Sequence, residues 1–181
     1  MSLELTILGL LSWNPQSGYD LKKSFSAVEF IPWSGNNNQI YRTLLRLHSE
    51  GLVDSQITQP ESGPAKKIYT LTEKGYTSLK AQLLGAPELE QVKNTFLIQL
   101  AFAEILETRL ILQLLEDYCT QITERKVLLT EEFRRAEGYP GRSERETLIW
   151  TRITDRRLES LDNEKKWAES LMEELKETFH E

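Results

Sequence analysis

The chain is short of the residues that most site chemistry requires. It has one cysteine, Cys119, so no disulfide can form within it, and a reducing cytoplasm is the expected location. Its two histidines, His48 and His180, are far apart and do not combine with that cysteine into a zinc site. Nine glycines include no phosphate-cradling loop. No apolar run approaches the ~18 residues of a membrane span. The N-terminal MSLELTILGLLSW is hydrophobic enough to suggest a signal peptide, but Glu4 replaces the basic flank and no small-residue cleavage site follows, so it is expected to be a first helix. Carboxylates are abundant, yet they fall in helical charge runs that solvated faces and i,i+4 pairs explain. The reading is therefore no enzyme, no cofactor, no metal and no membrane partner.

What is present fits a soluble globular protein, with 39% hydrophobic and 28% charged residues in 181. The formal charge of −6 speaks against nucleic acid until its distribution is considered. Residues 1–80 carry eight Lys or Arg against seven Asp or Glu, and the remainder carries fourteen against twenty-one. The acidic half keeps the chain soluble and leaves the N-terminal half free to meet phosphates.

Leu3, Ile7, Leu10 and Leu11 stand at helical spacing, and Asn14-Pro15-Gln16-Ser17-Gly18 ends that helix. Ser17 is placed to cap a second helix running to about Glu29, with Asp20 in its first turn and Leu21, Phe25 and Val28 inward. Pro32 interrupts the connector Phe30–Trp33. A third helix starts with Asn36 and Gln39 spaced as a capping box; Ile40, Leu44 and Leu47 form its buried stripe, and Gly51 its C-terminal stop. The opposite side collects Asn38, Tyr41, Arg42, Leu45 and Ser49. The periodicity then switches: Leu52–Thr58 and Lys66–Leu71 read as strands joined by the turn-forming Gln59–Pro64. Thr72 is expected to cap a fourth helix with Leu79, Leu83 and Leu84 on its apolar side. The fold class is mainly α: a winged helix-turn-helix with a two-stranded wing, then a C-terminal long-helix dimerisation domain.

Gly85-Ala86-Pro87 marks the boundary, giving domains over 1–85 and 86–181. Beyond it, helices are expected over roughly 87–106, 107–136 and 143–179. In the last, Leu158, Leu161, Lys165, Ala168, Met172, Leu175 and Phe179 follow steps of three and four, a heptad seam with one charged interruption. Leu158, Leu161, Ala168, Met172, Leu175 and Phe179 are the candidate dimer contacts, and packing against residues 96–115 of the same chain is the competing use of the stripe. Trp150 and Trp167 fit packing or interface roles better than ligand stacking.

The third helix has the side chains a recognition helix needs. Asn and Gln can bond adenine bidentately and Arg can do so with guanine, from the helix's first turns in the major groove. Asn37, Asn38, Gln39 and Arg42 supply such groups, and Tyr41 lies beside Arg42 for a phosphate. Lys66 and Lys67 follow the wing tip, and Lys22 and Lys23 lie on the second helix. The Asn run fits a capped, solvated turn equally well, and Arg42 fits an ion pair with a carboxylate. The two wing lysines also fit a charged edge that blunts strand pairing, and strand alternation favours only one of them pointing outward.

Four segments in order, Ser17-Gly18-Tyr19-Asp20-Leu21, Gln39-Ile40-Tyr41-Arg42-Thr43-Leu44, Glu50-Gly51-Leu52-Val53 and Lys67-Ile68-Tyr69-Thr70-Leu71-Thr72-Glu73-Lys74-Gly75, closely resemble the PadR family of bacterial regulators, named for a phenolic-acid-responsive repressor. The resemblance covers about residues 3–85 and continues more loosely through Phe96-Leu97 and Trp167. It implies a homodimer presenting two winged helices to a palindromic double-stranded DNA operator, with a small-molecule effector in some members. It also implies Tyr41 at the phosphate backbone, Gln39 and Arg42 near the groove and Lys67 against adjacent DNA. Asn36-Asn37-Asn38 departs from the Ser/Pro/Gly-rich start common at this helix, which puts the cap and base preference in question. The expected function is a dimeric, effector-responsive repressor. The alternatives are a winged-helix protein-interaction module without DNA binding, which the net acidity favours, and a small-molecule-binding helical protein.

Overall fold

The computed structural model describes residues 3–27, 37–59, 65–87, 89, 94–134 and 141–179, and its contacts divide the chain into two units, residues 1–88 and 89–181. The division falls next to the glycine–proline boundary read from sequence.

In the first unit the elements are α1 (Leu3–Leu11), β1 (Gln16–Ser17), α2 (Gly18–Ala27), α3 (Asn37–Ser49), β2 (Val53–Thr58), β3 (Lys66–Leu71) and α4 (Glu73–Leu83). Helix α1 packs against α3, α4 and β3, and its Ile7, Leu8, Leu10 and Leu11 enter one core with Leu21, Phe25, Ile40, Leu44, Leu47, Val53, Tyr69 and Leu79. The Ile40–Leu44–Leu47 stripe is fully buried, each side chain contributing about 1.5–3 kcal/mol of burial. Val28 and Asn36, expected in the core and in a cap, lie outside the described residues.

The caps follow the local chemistry. The Ser17 hydroxyl accepts from the Asp20 N–H at 3.1 Å and donates to the Asp20 carboxylate at 2.7 Å, closing a reciprocal cap on α2. Gly51 sits at φ +69°, and the N–H groups of Gly51 and Leu52 return to the carbonyls of His48 and Leu47 at 3.0 and 2.9 Å, a Schellman closure of α3. The Thr72 hydroxyl accepts from the Gly75 N–H at 3.0 Å and lies 2.8 Å from the Gly51 carbonyl oxygen, so the cap of α4 also ties down the end of α3. Thr72→Ala is expected to cost about 0.5–2 kcal/mol, read as a lower urea midpoint, and Thr72→Ser to restore most of it. An unchanged midpoint in the alanine variant would contradict this role.

Two expectations change here. The wing hairpin has the register Val53↔Leu71 to Thr58↔Lys66, but β1 adds a third strand on the other side of β3, through Gln16↔Tyr69 and Ser17↔Ile68. Two residues beside a proline are too short to show a period of two. Leu79 is buried in α4 as expected, whereas Leu83 and Leu84 are exposed, because the last turn of the helix runs past the core.

The second unit has a short helix α5 (Thr95–Ala101), a 3-10 turn (Ala103–Ile105), and two long helices, α6 (Thr108–Arg134) and α7 (Glu144–Thr178). The helix expected from residue 87 instead begins at Asn94, whose side-chain oxygen accepts from the N–H groups of Phe96 and Leu97 at 3.0 and 3.4 Å. It breaks at Phe102, where no proline or glycine signals a stop. Helices α6 and α7 run antiparallel: Leu115 and Cys119 meet Ala168, Ile122 and Leu129 meet Leu161, and Lys126 pairs with Asp162 at 2.6 Å. Burial pushes the Cys119 thiol up from its ordinary pKa.

The heptad seam is therefore used within the chain. Leu161 and Ala168 are buried against α6, and Leu158, Met172 and Leu175 are partly buried in the same clusters. Phe179 alone of the six is exposed, and Lys165 bridges to Glu169 at 3.7 Å. Periodicity identifies an apolar stripe but not what covers it. Here the covering surface runs from residue 96 to 129, further along α6 than the sequence suggested. Among the described residues no helix is long and apolar enough to cross a membrane.

Candidate nucleic-acid interface

The exposed side of α3 follows from the burial of the other. With Ile40, Leu44 and Leu47 inside, helical geometry turns Asn38, Arg42, Leu45 and Ser49 outward in one stripe, with Gln39 and Tyr41 flanking it, and all six are exposed. Asn37 opens the helix. This stripe offers amides and a guanidinium in the first turns, the arrangement that major-groove readout uses.

The two arginines of α3 have different fates. Arg46 donates to Glu4 on α1 at 2.6 Å and to both Glu50 oxygens at 3.0 and 3.1 Å, and Glu4 also accepts from Gln82 on α4 at 2.7 Å. Hydrogen bonds to Glu4 and then Glu50 raise the Arg46 pKa further. That network fastens α3 to α1 and α4. Among the described residues no carboxylate is seen to pair with Arg42, one turn earlier on the outer stripe.

Lys66 and Lys67 are both exposed, contrary to the single outward lysine that strand alternation favoured. Strand β1 pairs with β3 only at Ile68 and Tyr69, and the wing beyond them is a two-stranded ribbon with exposed side chains at Lys66 and Lys67. Lys67 shares a face with Tyr69, its ammonium 5.4 Å from the ring centroid. Burial, and secondarily the nearby Tyr41 phenol, raise the Tyr69 pKa. Lys67 and Tyr69 therefore form one pair on the wing, on the side towards Tyr41. Lys22 and Lys23 are exposed on α2, which packs against α3.

Several contributors escaped sequence reasoning. Gln16 is buried yet satisfied: its amide donates to the Leu10 carbonyl at 3.1 Å and to Asn14 at 2.9 Å, and it accepts from Ser24 at 3.0 Å. It locks α2 onto the end of α1, and nothing in a turn-forming Pro15-Gln16 pair signals that. Glu4 and Arg46 are separated by 42 positions, and no local pattern links them.

The family described as "Transcriptional regulator PadR-like family" matches residues 7–81, spanning α1 to α4. The chain is 32% identical to the negative transcriptional regulator PadR of Bacillus subtilis (strain 168) over 130 residues, 71% of this chain and 70% of that protein. The chain belongs to the PadR-like family of transcriptional regulators. The crystal structure of Bacillus subtilis PadR in complex with operator DNA covers 96% of this chain and 98% of that one, with a TM-score of 0.81 and 27% identity. The structure of the same relative in complex with p-coumaric acid covers 96% and 94%, with a TM-score of 0.74 and 27% identity. The PadR-like match includes the outer stripe of α3, the wing and the Thr72 cap. The structural likeness extends through the C-terminal helices as well.

Proposed function

We propose that this PadR-like regulator binds a palindromic DNA operator as a homodimer, each protomer placing α3 in a major groove and its wing on the flanking backbone. The observation that carries the reading is the outer stripe of α3, with Asn38, Gln39, Tyr41 and Arg42 exposed together while Arg46 is committed to the fold. Arg42 and the amides of Asn37, Asn38 and Gln39 read bases; Tyr41, Lys66, Lys67 and Lys22 meet phosphates. The operator-bound relative supports DNA binding as the function of this fold. The chain acts without catalysis, in the cytoplasm.

Dimerisation follows from affinity and from unpartnered surface. One winged helix makes few phosphate contacts, and pairing two on one body raises affinity through effective concentration. Since Leu158, Leu161, Ala168, Met172 and Leu175 pack on α6, the contact with a second copy is assigned to exposed apolar side chains between Leu97 and Leu110, chiefly Ile98, Phe102 and Ile105, together with Phe179. The regulator represses by occupying its promoter. A small-molecule effector belongs to the reading because the relative's structure contains p-coumaric acid. Its binding changes the separation of the two recognition helices, which must match one turn of DNA, ~34 Å.

Selection from a random duplex pool tests this. The expected product is an inverted repeat with half-site centres about one helical turn apart, bound by a species of twice the 21.0 kDa chain mass in sedimentation. A pool that shows no enrichment would overturn the proposal and favour a protein-interaction module.

A further inference from the structure

Gly18 is the first residue of α2, directly after the Ser17 cap, and its backbone does not require glycine: no left-handed φ is recorded there. What requires it is space. A Cβ at position 18 would lie 2.5 Å from Cε1 of Tyr41 and 3.2 Å from both Cδ1 and Cζ, so one edge of the phenol ring rests where an alanine methyl would stand. The rest of Tyr41 is open to solvent, its side exposed at 48%. On its other side lies the wing, where Lys67 stands over the Tyr69 ring and the Tyr41 phenol is near enough to influence the Tyr69 pKa.

We infer that Gly18 is a positioning residue for DNA binding: the missing side chain makes the seat that fixes the Tyr41 ring, and hence its hydroxyl, for a phosphate oxygen. The inference rests on the proposed DNA-binding role of Tyr41. Its logic separates position from stability. The obstructing atoms belong to an exposed ring that can swing outward, so an alanine here is accommodated at little cost to the fold. Alanine is also at least as good a helix former as glycine. The swing, however, moves the hydroxyl by more than a hydrogen bond tolerates.

The test is a four-protein cycle on the selected duplex: wild type, Gly18→Ala, Tyr41→Ala and the double variant, each with its melting temperature. The expected result is an affinity loss of about tenfold per half-site in Tyr41→Ala, the size of a lost hydrogen bond to a charged group, and so about a hundredfold on an operator that a symmetric dimer contacts twice. A comparable loss is expected in Gly18→Ala, with no further loss when the two are combined and with melting temperatures near wild type. Equal, additive losses in both backgrounds would overturn the inference, because Gly18 would then act without Tyr41. So would unchanged affinity in Gly18→Ala beside a weakened Tyr41→Ala, which leaves the DNA-binding role of Tyr41 standing. Unchanged affinity in Tyr41→Ala removes both. A readout without DNA is the nuclear Overhauser contact between the Gly18 α-protons and the Tyr41 ring in the free protein; its absence would contradict the seat itself.

Discussion

Gly75→Ala is expected to destabilise the winged unit by about 2 kcal/mol or more, the upper part of the range for forcing extra volume into a packed site. A Cβ on Gly75 would stand 2.1 Å from the Leu52 carbonyl oxygen and 2.6 Å from Cδ1 of Leu71. The oxygen is backbone and cannot swing away. It accepts from the Thr72 N–H at 3.1 Å, with the Thr72 hydroxyl 3.0 Å away, so retreat breaks the cap of α4 as well as the base of the wing. For a unit of this size, a loss of ~2 kcal/mol lowers the melting temperature by roughly 10 °C. Differential scanning calorimetry measures it, and a shift within the error of the wild-type scan would show that α4 does not approach Leu52 this closely. The contrast with Gly18 is instructive: one absent side chain accommodates backbone, the other a movable ring, and only the first is expected to be costly to stability.

The second large effect concerns Arg42 and Lys67, which should fail in different ways. On the proposed reading, in which the Arg42 guanidinium meets a base, Arg42→Ala is expected to cost about 1–3 kcal/mol per half-site and to flatten discrimination between operator and mutated operator. Because a symmetric dimer carries the change twice, the loss in operator affinity is expected to exceed about thirtyfold. Lys67→Ala should weaken operator and unrelated duplexes alike and reduce the salt slope by about one per protomer. Arg46→Ala is the internal comparison: Arg46 and Glu50 are exposed and Glu4 is half-buried, so the pairs are worth about 1 kcal/mol to the fold, and on the proposed reading Arg46 makes no operator contact. Competition anisotropy with specific and scrambled duplexes separates the three. Equal discrimination by Arg42→Ala and wild type would place base readout elsewhere on α3.

The parts of this fold legible in sequence are those governed by neighbours a turn or two away. The Ile40–Leu44–Leu47 stripe, the Gly51 stop, the Ser17 and Thr72 caps and the wing hairpin all arise from local periodicity and local hydrogen bonding. The outer face of α3 was legible for the same reason, since the buried side of a helix determines the other. What was not legible depends on partners distant in sequence. Glu4 joins Gln82 across 78 positions, and the start of α5 is fixed by Asn94, whose amide donates to Glu164 across 70 and to the Tyr118 hydroxyl at 2.9 Å. Tyr118 in turn stacks on Phe96, with ring centroids 3.8 Å apart, and donates to Glu164 at 2.8 Å. The heptad seam shows the limit most clearly. Its spacing announced an apolar stripe on α7, and the helix that covers much of it belongs to the same chain.

The most direct measurement is a fluorescence-anisotropy titration onto the DNA upstream of the protein's own gene, at two salt concentrations, for wild type and an Arg42→Ala/Lys67→Ala variant. The account predicts saturable binding by two protomers per site, weakened by salt and abolished in the variant at the same concentrations. Identical weak, non-saturating binding by both proteins, on that DNA and on a pool of random duplexes, would contradict it.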